Sequence, residues 1–218
     1  MKKVLFVALI LALNIIAFAQ SNSSHKATEV LNINFMLRGY FYAGSLIEDQ
    51  RAFGGFGTSG NLPKAVDPNN SFPQGTISLV ARPDVETIFA KKYKGLTVLL
   101  VNLTSEPVAF NAQDSRLYIT QEARDTDGKW KPVEYLPSSW CGNSYHRVFL
   151  GPREYWSFAA ARFTGGLKTR FRFRLDHQAS DEQKITIYSN EFEGSLNKGQ
   201  FKNKREYHPS NVMDPYNN

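Results

Sequence analysis

The chain has 218 residues, of which 42% are hydrophobic and 21% charged, with four histidines and one cysteine. That is ordinary globular composition, so collagen-like, coiled-coil and wholly disordered chains are excluded, and a single cysteine also excludes an intramolecular disulfide or a structural zinc site built on several thiolates. The formal charge of +6 includes Lys2 and Lys3, and the remaining excess is too mild and too dispersed for a nucleic-acid binder.

Residues 1–20 read as an export segment. Lys2 and Lys3 give a positive start, residues 4–18 are apolar apart from Asn14, and Ala17-Phe18-Ala19 supplies small residues at the cleavage positions. The apolar run of about 15 residues is shorter than the ~20 needed to cross a hydrocarbon core. The expectation is therefore a signal peptide over residues 1–19 and an exported mature chain, periplasmic or extracellular, with no membrane span. No cysteine follows the cleavage site to carry a lipid.

Residues 20–74 form a loop-rich N-terminal segment. A polar leader is followed by an apolar patch over residues 30–42, then by the glycine-rich stretch 54–60 and the turn-rich stretch 67–73. This segment is expected to be either a mobile arm or a covering loop pinned by Phe53, Phe56 and Phe72.

Residues 75–193 carry short apolar or alternating runs separated by turn signals. Strands are predicted over residues 76–82, 96–103, 116–123, 129–135, 146–150, 155–160, 168–175 and 184–188, a number and spacing that suggest an all-β sandwich or barrel. The clearest turn is Asp125-Thr126-Asp127-Gly128-Lys129, where Asp-Gly accepts the backbone angles of a tight hairpin. The run Leu96-Thr97-Val98-Leu99-Leu100-Val101 is nearly continuous apolar, as for a central strand covered on both faces. Residues 83–93 read as a helix or as a strand about equally well. Residues 194–218 are a polar tail with little apolar surface to offset its ordering entropy.

The run Val101-Asn102-Leu103-Thr104-Ser105-Glu106-Pro107-Val108-Ala109-Phe110, then residues 117–123, the Asp-Gly turn, Trp130 and Leu150-Gly151-Pro152-Arg153-Glu154-Tyr155-Trp156-Ser157-Phe158, resembles immunoglobulin-like β-sandwich domains of exported bacterial proteins. The resemblance spans about residues 76–192 and implies an antiparallel sandwich. It carries no catalytic residue, and the cysteine pair of antibody-type domains is absent, so no inter-sheet disulfide is implied.

Two constellations are candidates for function. Lys168, Arg170, Arg172 and Arg174 alternate with Thr169, Phe171, Phe173 and Leu175, so a strand would put all four cations on one face. At about 6.8 Å spacing their repulsion, roughly 0.6 kcal/mol per adjacent pair in water, requires a counter-charge. Carboxylates such as Glu122, Asp125 or Glu134, or an anionic partner held by guanidinium forks, would supply it. The second constellation is Trp140-Cys141-Gly142-Asn143-Ser144-Tyr145-His146, which offers a thiol beside an imidazole and a loop tryptophan. It also reads as a simple turn in which Gly142 and Asn143 supply positive φ around a buried cysteine. Trp130, Trp140, Trp156, Tyr135, Tyr145 and Tyr155 are either core or a sugar-stacking surface, and Tyr155 and Trp156 must point to opposite faces of a strand. Asn102-Leu103-Thr104 fits a glycosylation triplet, while the scattered histidines and the isolated Asp125-Thr126-Asp127-Gly128 give no metal site.

Taken together, the sequence points to an exported, non-enzymatic interaction or adhesion module without cofactor. Its expected ligand-binding residues are Lys168, Arg170, Arg172, Arg174 and Trp140, facing an acidic glycan or a protein surface. The alternatives are a structural component of a cell-envelope assembly, with residues 20–74 adding a strand to a neighbour, and a cysteine-dependent hydrolase using Cys141 and His146.

Overall fold

The computed structural model describes residues 29–55, 58–69, 72–139, 141–178 and 184–202, and the backbone of 216–217. The export segment and Trp140 lie outside the described residues. Two short strands, β1 (Leu37–Arg38) and β2 (Lys64–Ala65), precede a long hairpin of β3 (Ile77–Phe89) and β4 (Tyr93–Asn102). Then come β5 (Val108–Gln113), β6 (Arg116–Leu117), β7 (Ile119–Arg124), β8 (Trp130–Pro132), β9 (Glu134–Tyr135) and β10 (Ser138–Ser139). The chain continues through β11 (Tyr145–Leu150), β12 (Glu154–Ala161), β13 (Leu167–Gln178), β14 (Lys184–Tyr188), β15 (Phe192–Leu196) and β16 (Tyr216–Asn217). The molecule is an all-β sandwich, and no α-helix occurs among the described residues.

One layer has the strand order β2-β12-β4-β3. The facing layer has β14-β13-β7-β8, with β15 continuing along the same edge of β13 as β14, and β11-β5-β6 forms a third, smaller sheet. Apart from the parallel β1–β9 pair, the named strands pair antiparallel. Alternation dictates the core. Leu96, Val98, Leu100, Trp156 and Phe158 point in from one layer, Ile119, Phe171, Phe173 and Leu175 from the other, and Phe110, Val148 and Leu150 from the small sheet, all in one buried cluster. β4 is covered twice, because Val101 and Leu103 pack on its other side with Val66 and the half-buried Phe72 and Leu99. Tyr155 joins that outer cluster while Trp156 is fully buried, its Nε1 donating to the Gly44 carbonyl at 2.9 Å.

The turns explain where sequence patterning was ambiguous. Residues 83–93 are strand and turn, not helix: β3 runs on to Phe89, and Ala90 and Lys91 both adopt positive φ (48° and 61°) with Lys92 N–H bonded to the Phe89 carbonyl. That is a three-residue hairpin loop, residues 90–92, whose two positive-φ positions are filled here without the usual glycine or asparagine. Pro83 falls where the β3–β4 register shifts between Arg82 and Glu86, a bulge that has no use for its missing N–H. The Asp125 turn is a hairpin as predicted: Gly128 takes φ +75°, and Asp125 Oδ1 accepts the Asp127 and Lys129 N–H groups.

The N-terminal segment belongs to the core. Leu31 exchanges backbone hydrogen bonds with Arg162 and Thr164, and β1 pairs with β9. Phe41, fully buried, lies edge-on to Phe158 of one layer and Phe173 of the other, with centroids 5.4 and 5.7 Å away. Of the three expected pins, Phe53 is 79% exposed, Phe72 is half-buried, and Phe56 lies outside the described residues. At the other end, β15 and the 3-10 turn after it are docked, with Leu196 and Gln200 buried.

Two polar side chains tie the layers. Asn190, in the break between β14 and β15, meets the backbone of Ala81 with both halves of its carboxamide: Oδ1 accepts the N–H at 2.9 Å and Nδ2 donates to the C=O at 3.0 Å. Asn102 is fully buried, with Nδ2 facing the carbonyls of Glu106, Leu150 and Gly151 and Oδ1 accepting from Thr104 N–H and Oγ1. The glycosylation triplet is therefore a structural corner, its amide nitrogen already engaged.

Candidate functional site

β13 places Lys168, Arg170, Arg172 and Arg174 on the outer face and Phe171, Phe173 and Leu175 in the core, as period two requires. The counter-charge comes from neighbouring strands. Arg172 directs Nε and Nη2 to Oε2 of the buried Glu122, both at 2.8 Å, and Glu122 stands opposite it in register. Arg174 binds Asp176 two residues along its own strand at 3.0 Å and sits 3.7 Å from Glu122. Arg170 pairs with Glu191 at 3.0 Å, and Glu191 also takes Arg124 at 3.3 Å. Lys168 is exposed and makes no ion pair among the described residues. Three of the four cations thus have carboxylate partners within the chain. Of the three carboxylates expected to balance the row, only Glu122 does so: Asp125 pairs with Lys131 at 2.6 Å, and Glu134 is buried.

Aromatic rings complete the face. The Arg172 guanidinium lies 4.3 Å from the Trp130 ring centroid and 3.8 Å from that of Tyr188, and Arg124 lies 5.0 Å from Trp130. β8 and β14 flank the β7–β13 pair, so the line Trp130–Arg172–Tyr188 runs across the sheet. Tyr188 is 47% exposed. Each guanidinium–ring contact at an exposed site contributes about 0.5–1 kcal/mol, and together with the Glu122 fork they hold Arg172 in one orientation. The result is a polar and aromatic platform rather than a bare cationic stripe.

The Cys141 loop is arranged differently. Residues Gly142–Ser144 form a 3-10 turn without positive φ, and Cys141 is half-exposed instead of buried. Its backbone is fixed by Ser139 Oγ, which itself bonds Ser144 Oγ at 2.9 Å. His146 Nε2 accepts the Ser115 N–H at 2.8 Å, which occupies the lone pair a general base would use, and burial lowers the imidazole pKa. No hydrogen bond joins Cys141 to His146 among the described residues, nor does any group of three or more His, Cys, Asp or Glu there form a metal cluster. Among the described residues no helix is long and apolar enough to cross a membrane.

Sequence reasoning did not find the Tyr188 and Trp130 partnership with Arg172. Its signal was available only in part, because Tyr188 ends a predicted strand and Trp130 follows the hairpin, but the register that brings both to one guanidinium is tertiary. No family model matches the chain, and a search of the curated proteins finds no match.

Proposed function

We propose that this protein is an exported, non-enzymatic interaction module of immunoglobulin-like sandwich type that recognises acidic glycans through the outer face of β13. The observation that carries the reading is the exposed Tyr188 ring packed beside an Arg172 held in place by Glu122 and Trp130. A fixed ring offers a face to the apolar side of a sugar, and the surrounding arginines and carboxylates offer donors and acceptors to its hydroxyls. Lys168 supplies a cation with no carboxylate partner among the described residues. From Lys168 to Arg174 the strand covers ~20 Å at about 3.3 Å per residue, a length suited to several linked sugars rather than to one. The alternative as a cell-envelope component through an N-terminal arm gains nothing from residues 31–43, where Leu31, Met36, Phe41 and Ala43 are buried in this chain's own core.

The test is titration of the protein with polygalacturonate, against neutral dextran as the control. Binding should be saturable for the polyuronate only. Tyr188→Ala is expected to weaken it at least tenfold, and Lys168→Ala to weaken it a few-fold while flattening its salt dependence. Equal binding of dextran, or no effect of Tyr188→Ala, would refute the assignment.

A further inference from the structure

A second feature lies away from the outer face of β13. Where β3, β5, β11 and β14 meet, a cleft of about 750 Å³ opens between the small sheet and the edges of the two layers. That volume falls within the range of small-molecule sites, roughly 300–1,000 Å³. Its walls are aliphatic: Ile47, Ile77, Val108, Ile185 and Ile187 all line it and all remain at least partly exposed. Ile185 and Ile187 lie on consecutive same-face positions of β14, so the strand presents a branched apolar ridge to the opening.

The polar groups in this cleft are few and unevenly satisfied. Asp49 and Arg51 satisfy each other, with Arg51 Nη2 2.6 Å and Nε 2.9 Å from the carboxylate and its guanidinium 5.1 Å from the Phe149 centroid. Arg147, on β11, makes no ion pair among the described residues. His177, on the inward face of β13, is only 4% exposed and tilts against Phe110 at 4.8 Å, yet its Nδ1 has no hydrogen-bond partner among the described residues. Leaving such a buried donor or acceptor unmade costs about 1–3 kcal/mol. Burial, reinforced by the Arg147 charge, lowers the His177 pKa, so at neutral pH the imidazole is uncharged and has one N–H to give. Among the described residues the charged lining then sums to two arginines against one aspartate, a net of +1.

We infer that this cleft binds a small monocarboxylic acid with an aliphatic body, its carboxylate held by Arg147 and His177 and its chain lodged among the isoleucines. One negative charge matches the net charge of that lining and satisfies both polar groups that lack a partner among the described residues. A phosphate ester, which carries about −1.5 to −2 at neutral pH, would exceed it, and the neighbouring Asp49 would oppose the surplus. The aliphatic walls select against a purely polar anion, because a chain that stays in water forgoes about 0.8 kcal/mol per buried methylene.

The experiment is calorimetric titration of the full chain with octanoate and, separately, with 1-octanol, which has the same chain and no charge. Octanoate should bind saturably with one site per chain, and 1-octanol at least tenfold more weakly. Arg147→Gln should reduce octanoate affinity at least tenfold and leave 1-octanol unchanged. His177→Phe, which keeps the packing on Phe110, should reduce octanoate affinity several-fold, and octanoate should raise the unfolding midpoint of the parent chain but not of Arg147→Gln. Failure of octanoate to bind at millimolar concentration, equal affinity for the alcohol, or an unchanged affinity in Arg147→Gln overturns the inference.

Discussion

The carboxyl of Glu134 is 1% exposed and should make the stability of the sandwich depend on pH. Burial raises its pKa from 4.5 to about 7, outweighing the hydrogen bonds from Tyr40 O–H at 2.6 Å and Gln121 N–H at 2.8 Å that favour the charged form. Burial, with the Glu134 charge, likewise raises Tyr40 well above its ordinary value. A folded-state pKa above the unfolded one means that the native state holds its proton more tightly. The associated stability is fully present below pH 4.5 and is lost as pH rises through about 7. At about 1.4 kcal/mol per pH unit, the interval corresponds to roughly 3 kcal/mol. His146 and His177, whose pKa values burial lowers, act in the opposite sense: their stabilisation is present above pH 6.5 and is lost on acidification. The informative quantity is therefore the difference between the parent chain and Glu134→Gln, which removes the titration and keeps the shape. Urea unfolding followed by the fluorescence of the buried Trp156, at intervals from pH 4.5 to pH 8, should show that difference falling by up to roughly 3 kcal/mol. A difference that stays flat across the range refutes the reasoning.

Three further perturbations report on other parts of the frame. Asn102→Ala removes the corner amide and strands the carbonyls of Leu150 and Gly151, so chemical denaturation should show a loss of about 3 kcal/mol. Asn190→Ala breaks the paired bonds to Ala81 and should cost about 1–3 kcal/mol, with faster hydrogen exchange at the Ala81 amide. Gly165→Ala would drive a methyl group into the Leu196 carbonyl carbon, so the 165 turn and β15 must part, at about 1–3 kcal/mol or more in the same denaturation assay.

How much was legible in the sequence depends on whether the signal was local. The inward Phe171, Phe173 and Leu175, the doubly covered β4 and the Asp125 hairpin follow from alternation, an apolar run and Asp-Gly chemistry, and the structure has all three. β5 and β15 were not predicted, because Val-Ala-Phe-Asn-Ala-Gln lacks a clean alternation and Phe-Glu-Gly-Ser-Leu sits in a polar context. Their strand state is imposed by pairing with β11 and β13. The β3–β4 turn was opaque because Ala90 and Lys91 adopt positive φ without the residues that usually announce it. On the outer face of β13 the cations were legible, but Glu191 as a counter-ion and Tyr188 and Trp130 as neighbours depend on register between strands distant in sequence. The cleft at His177 was invisible for the same reason, since its lining comes from six separate stretches of chain.

The threading of the N-terminal segment has a consequence for biogenesis. Asn32 hydrogen-bonds Asn197, 165 positions further along the chain, and Asn34 accepts from the Gly199 N–H. A ribosome therefore releases Leu31 and Phe41 long before Phe163 and Phe173, the residues that will shelter them, have been made. The nascent chain must carry these greasy side chains unshielded until those partners emerge, and closure also waits on Asn197 and Gly199. A holdase that shields this early stretch would therefore raise the yield of native protein more than a chaperone that acts after release.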